Sequence, residues 1–129
     1  MTYDYGLIYR LIDEVPKGEV ASYGMIASLL PGVTSRMVGR ALSHMPRGEK
    51  APWHRIVNAS GAISARPGAG EHRMRLKTEG VAFRKNGHVD LSAHRWRGPS
   101  PVWIAKTGAD PVEVMEIVAS WRAVDTGRA

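Results

Sequence analysis

Three short apolar segments, each closed by a proline or glycine stop, fill residues 5–46 and leave few folds open. In YGLIYRLIDEV, Leu7, Ile8, Leu11, Ile12 and Val15 recur at helical spacing, and Pro16 and Gly18 end the segment. Ser22 is placed to cap a second helix, YGMIASLL, that stops at Pro31 and Gly32. Thr34 or Ser35 caps a third, RMVGRALSHM, that stops before Pro46. Three short helices joined by tight turns predict a helix-turn-helix unit.

Beyond Pro46 the pattern changes. RIVN-ASG-AIS predicts a strand, a turn and a second strand. ARPGAGE is a loop, and EHRMRLKTEGV is a basic helix with Gly80 as its C-cap. VAFRKNGHVDLS sets an Asn-Gly turn between β-favouring stretches, as in a hairpin or wing. RWRGPSPVW reads as a break. DPVEVMEIVASWRAV then opens a helix with Asp110 as N-cap, Pro111 at the first helical position and Glu113 completing a capping box. Its Val112, Met115, Ile117, Val118 and Trp121 are expected to pack back onto the domain. The expected fold is mainly α with a small β component, winged-helix-like, with one added C-terminal helix. Residues 1–97 form the main domain in this reading, and 98–129 a C-terminal extension that either covers core or docks a protein.

With 129 residues and 43% apolar side chains, one domain with a real core is expected. The sequence has no cysteine, which excludes disulfides, thiolate metal sites and Cys nucleophiles. It starts without the basic and apolar regions of a signal peptide, and no apolar run is long enough to span a bilayer. The expectation is an intracellular monomer, cytoplasmic at the nucleoid or nuclear, with no membrane partner and no cofactor. Residues 31–97 carry thirteen basic against four acidic side chains, while both flanks are slightly acidic. A basic excess confined to the middle favours a polyanion partner, nucleic acid first; the plain alternative is a solvated basic face.

The third helix is the natural reader. Arg36 and Arg40 lie four apart on one face among small neighbours, Thr34, Ser35, Gly39 and Ala41. An interior glycine costs a helix about 1 kcal/mol. Gly39 therefore implies a close approach, either to DNA or to the second helix. Tyr23 either stacks on a base or lies half-buried at the core edge. Trp53, His54 and Arg55 stand in a row after Pro52. His54 is a general base only if a nucleophile lies beside it, and otherwise a hydrogen-bonded structural histidine. The five histidines show no tight ligand pair, so no metal is expected. Trp53 is either core or a semi-exposed aromatic wall of the kind that receives flipped bases.

The segment PWHRIV resembles the PCHRVV motif of O6-alkylguanine-DNA alkyltransferases, with Trp53 where the alkyl-accepting cysteine stands. That replacement is the signature of the alkyltransferase-like proteins. EVASYGMIASLL, SRMVGRAL and LKTEGV resemble further segments of the family, in the family's order, over roughly residues 5 to 91. The separate N-terminal domain of many transferases is not expected. The resemblance implies that Arg36 enters the duplex and fills the gap left by an extruded nucleotide, and that Tyr23 rotates its phosphate. It implies a lesion pocket of Tyr23, Pro52, Trp53, His54, Arg55 and Arg66, with Thr34, Ser35, Gly39 and Arg40 also at the DNA. In transferases the matching histidine relays a proton from cysteine toward a glutamate, here Glu79. Without a thiol both are expected to remain as scaffold. Met45 precedes Pro46 where the family often has asparagine, so the hinge bonds of that asparagine are not expected. The implied function is recognition of O6-alkylguanine in double-stranded DNA without chemistry, by minor-groove docking and nucleotide flipping, with hand-over to nucleotide excision repair proteins. Two rivals are a winged-helix regulator that reads sequence and an enzyme using another nucleophile.

Overall fold

Asp4 accepts the Gly6 N–H at 2.8 Å and starts α1 (Tyr5–Ile12), whose Ile8, Tyr9, Leu11 and Ile12 are buried. The computed structural model describes residues 4–126, with side-chain surroundings through Arg122. Ser22 ends the two-residue strand β1 (Ala21–Ser22) and caps α2 (Tyr23–Ser28), its Oγ accepting from Met25 N–H at 3.1 Å. Thr34, rather than Ser35, caps α3 (Ser35–Ser43) by accepting from Met37 N–H at 3.2 Å. The three helices share one core, to which Met45 adds a partly buried side chain.

After Pro46 the chain enters a single 3-10 turn (Trp53–Arg55) and then β2 (Ile56–Val57). Here the structure corrects the predicted hairpin. β2 pairs in parallel with β1, Ala21 opposite Ile56 and Ser22 opposite Val57. The expected second strand is absent. Asn58 N–H closes a turn onto Ala62 O at 3.0 Å, and Gly61 O instead accepts from Val89 N–H at 2.9 Å. Gly61 has φ +86°, and a Cβ there would lie 2.6 Å from Val89 O, so only glycine fits this crossing. The Asn86-Gly87 turn carries a wing one bridge long, Phe83 against Val89.

α4 (Ala69–Thr78) follows the Gly/Pro loop; Glu79 is its C-cap, and Gly80 takes the left-handed position after it (φ +87°). Its Leu76 joins Val20, Val57, Val81, Val89 and Leu91 in a second, smaller core. A four-residue helix, α5 (Leu91–His94), leads to Trp96, which is buried in the main core although its neighbours read as a linker.

The C-terminal part holds two helices where the sequence predicts one: α6 (Pro101–Thr107) and α7 (Pro111–Thr126). Ser100 caps α6, and Glu14 on the far side accepts from its N–H at 2.8 Å and its hydroxyl at 2.7 Å. Asp110 accepts from Val112 N–H at 2.9 Å at the start of α7. The buried face of α7 differs from the expected one. Val114 and Trp121 join the main core and Ile117 and Val118 pack at its edge, but Val112 and Met115 are 61% and 69% exposed. The helix turns these two away because Trp121, stacked on Trp96 at 5.7 Å, fixes its rotation.

Candidate nucleic-acid interface

α3 is held from behind and left open in front. Val38 and Ala41 are buried, and the Tyr9 hydroxyl donates to Ala41 O at 2.5 Å. On the other face Arg36 and Arg40 are exposed and form no ion pair or side-chain hydrogen bond among the described residues. Two free guanidiniums at i, i+4 are ready for phosphates or for insertion into a duplex. Thr34 and Ser35 are exposed at the same helix start.

Gly39 resolves one alternative. A Cβ built there meets no heavy atom within 4 Å, so packing on α2 does not require the glycine. The close approach of α2 and α3 lies at Gly24 instead, where a Cβ would be 3.4 Å from Ser35 Oγ. Gly39 lines a cavity of about 200 Å³ with Leu42 and Ser43 of the same helix, Tyr23 of α2, Trp53 of the 3-10 turn, Ser64 and Arg66 of the loop, and His72 of α4. Tyr23 and Trp53 are both half-buried, as an aromatic wall requires. The Arg75 guanidinium lies 5.4 Å from the Trp53 ring centroid, and the His72 ring meets the indole in an edge contact at 5.2 Å. These contacts stiffen a ring that would otherwise rotate.

Pro52, His54 and Arg55 do not line this opening, contrary to the sequence expectation. In the 3-10 turn Trp53 N–H bonds to Ala51 O at 2.8 Å and Arg55 N–H to Pro52 O at 3.0 Å, so successive side chains diverge. His54 and Arg55 turn inward. His54 Nε2–H donates to Glu79 Oε2 at 2.8 Å, and Arg55 donates to both Glu79 oxygens and to Val15 O. Gly18 N–H adds a fourth donor group at 3.3 Å. Burial pushes the Glu79 carboxyl up, but the bonds from Arg55, His54 and Gly18 outweigh it and lower its pKa to about 2. Glu79 thus ties α4 to the turn that carries Trp53.

Sequence reasoning missed His72. It is 2% exposed. Its only sequence signal is the i, i+4 spacing to Leu76 on the inward face of α4, which marks burial rather than function. Among the described residues no group of three or more His, Asp or Glu is arranged to hold a metal. No helix among them is long and apolar enough to cross a membrane.

The 6-O-methylguanine DNA methyltransferase, DNA binding domain family matches residues 5–81. A DNA base-flipping protein of Vibrio parahaemolyticus is 36% identical over 93 residues, covering 70% of this chain and 92% of that one. Alkyltransferase-like protein 1 of Schizosaccharomyces pombe is 36% identical over 104 residues, covering 77% and 93%. The crystal structure of S. pombe Atl1 in complex with damaged DNA containing O6-carboxymethylguanine matches with a TM-score of 0.63 at 34% identity, over 74% of this chain and 98% of that one.

Proposed function

The chain belongs to the family of the 6-O-methylguanine DNA methyltransferase DNA-binding domain, and we propose that it is a base-flipping sensor of O6-alkylguanine in duplex DNA that does no chemistry on the lesion. One observation carries the reading. A cavity walled by Tyr23, Trp53 and Arg66 opens beside the exposed face of α3, and the chain has no cysteine to attack what enters it.

The geometry supports a sequence of recognition steps in this reading. The basic middle segment meets phosphates, which gives salt-dependent affinity for any duplex. Arg36 enters the stack and takes the place of the extruded nucleotide, while Thr34, Ser35 and Arg40 hold the backbone. Gly39 keeps the cavity mouth clear, and Tyr23 supports the rotated phosphate. Flipping costs a few kcal/mol, least where pairing is already weakened, which favours an alkylated guanine. Trp53 then offers an aromatic face and Arg66 a cation to the extruded base. His54, Arg55 and Glu79 hold the turn rigid from behind. The position that carries a thiolate in transferases carries an indole here, so no carbon–oxygen bond is broken. The occupied complex marks the lesion for nucleotide excision repair.

A titration of matched duplexes containing guanine or O6-methylguanine, followed by Trp fluorescence and intact mass, tests this reading. The lesion duplex binds more tightly and the protein mass stays unchanged. Equal affinities would overturn lesion recognition, and a methyl-sized mass gain would overturn the absence of chemistry.

A further inference from the structure

His72 touches both working walls of the cavity, and its edge contact with Trp53 leaves the work of its two ring nitrogens unexplained. Its Nδ1 lies 3.1 Å from Arg66 Nη2 and its Nε2 lies 2.8 Å from His54 O. A guanidinium has only donors, and a carbonyl only accepts. The tautomer is therefore fixed: Nε2 carries the proton and donates to His54 O, and the Nδ1 lone pair accepts from Arg66. Burial first, then the Arg66 charge, lowers the His72 pKa to about 4, which keeps the imidazole neutral near pH 7. Arg66 itself is exposed, and its other hydrogen bond, Nη1 to Ser64 O at 3.0 Å, stays within its own loop. Among the described residues it has no carboxylate partner. Among the described residues, the link from this long-stemmed cation to the buried frame is His72 Nδ1.

We propose that His72 is a positioning residue for lesion selectivity: its Nδ1 lone pair holds the Arg66 guanidinium at the cavity wall, so that the cation reads the charge of the O6 substituent rather than a phosphate or solvent. The inference rests on the cavity being the lesion site. Held in place, Arg66 keeps unused N–H donors for an oxygen-bearing or anionic substituent, and a methyl group gains nothing from them. Released, Arg66 becomes one more cation for the backbone, which adds to sequence-independent, salt-dependent binding.

The test separates the two ring nitrogens. His72→Gln keeps a donor near the Nε2 position and loses the acceptor at Nδ1; His72→Asn does the reverse. Affinities of the full chain are measured for duplexes with guanine, O6-methylguanine and O6-carboxymethylguanine, beside Arg66→Ala and the double variant His72→Gln/Arg66→Ala. The wild type prefers the carboxymethyl over the methyl lesion by about tenfold, the scale of one hydrogen bond to a charged group. His72→Gln loses that preference, Arg66→Ala loses it equally, and the double variant loses no more. His72→Asn retains most of it. A merely structural His72 gives the opposite order, with Gln benign and Asn damaging, and that order overturns the proposal. So does a wild type that prefers lesions but treats the two alkyl groups alike. A wild type that binds guanine as tightly as both lesions marks a different failure, that of the cavity as lesion site.

Discussion

Arg36 and Gly39 carry opposite kinds of information. Arg36 is a large side chain with no ion pair or side-chain hydrogen bond among the described residues, and Gly39 is the lack of a side chain where the fold has room for one. Arg36→Ala removes no internal bond, so its melting temperature stays close to wild type while affinity for lesion DNA falls by tenfold or more, by the scale of charged hydrogen bonds. Unchanged affinity in a binding titration would remove the finger assignment. Gly39→Ala puts a methyl into open space at the cavity mouth. The helix gains about 1 kcal/mol, and the melting temperature rises. In the proposed docking DNA affinity falls, because the methyl then stands where the nucleic acid approaches. A thermal melt paired with a titration reads both signs, and a stable variant that binds as before would place DNA elsewhere. The resemblance of PWHRIV marks Trp53 in the sequence, but the ring's setting between Arg75 and His72 does not follow from it.

At the scale of elements, α1 to α3 follow from periodicity and caps that act within four residues, and Ser22 and Thr34 cap where their chemistry says. The β part does not follow. A two-residue strand has too few side chains to show alternation, and β2 chooses a partner far away in sequence. The 3-10 turn is joined to α4 through Glu79 and His72, and this junction sets a pH dependence. The His72 pKa is lowered from 6.5 to about 4, so the unfolded chain binds the proton more readily. Its contribution is complete above pH 6.5 and is lost as pH falls toward 4. Glu79 is lowered from 4.5 to about 2, so its contribution is present above 4.5 and lost as pH falls toward 2. Stability therefore declines in two overlapping steps below neutrality, each up to about 3 kcal/mol. Urea midpoints measured against pH show both steps, and His72→Gln removes the upper one only. An upper step that persists in this variant would belong to another group.

At the scale of the molecule, the C-terminal helices are anchored at the end of α2 opposite Tyr23. Trp121 Nε1–H donates to Ser28 Oγ at 3.2 Å, and its ring stacks on Trp96. Gly98 passes so close to α7 that a Cβ would lie 2.8 Å from Val118 Cγ2. α2 thus has one end in the cavity and the other under the extension. Trp121→Ala leaves a hole in the main core and costs about 3–5 kcal/mol. The same variant keeps its lesion preference at temperatures where it is folded. Calorimetry and a low-temperature titration check the two halves, and a lost preference in folded protein would tie α7 to recognition.

The sequence by itself determined α1 to α4 and α7, the caps at Ser22 and Asp110, the basic middle and the lack of a thiol, because each is a property of neighbours in the chain or of composition. Ser100 and Pro101 even spell the start of α6, hidden by the glycine and prolines around them. Only the tertiary structure decided the cavity, which draws its walls from residues 23 to 72 across α2, α3, the 3-10 turn, a loop and α4. It also decided that His54 and Arg55 face Glu79 rather than the cavity, and which nitrogen of His72 carries the proton. These are matters of which group satisfies which across the core. A hydrogen bond between residues far apart in sequence leaves no periodicity along the chain to read.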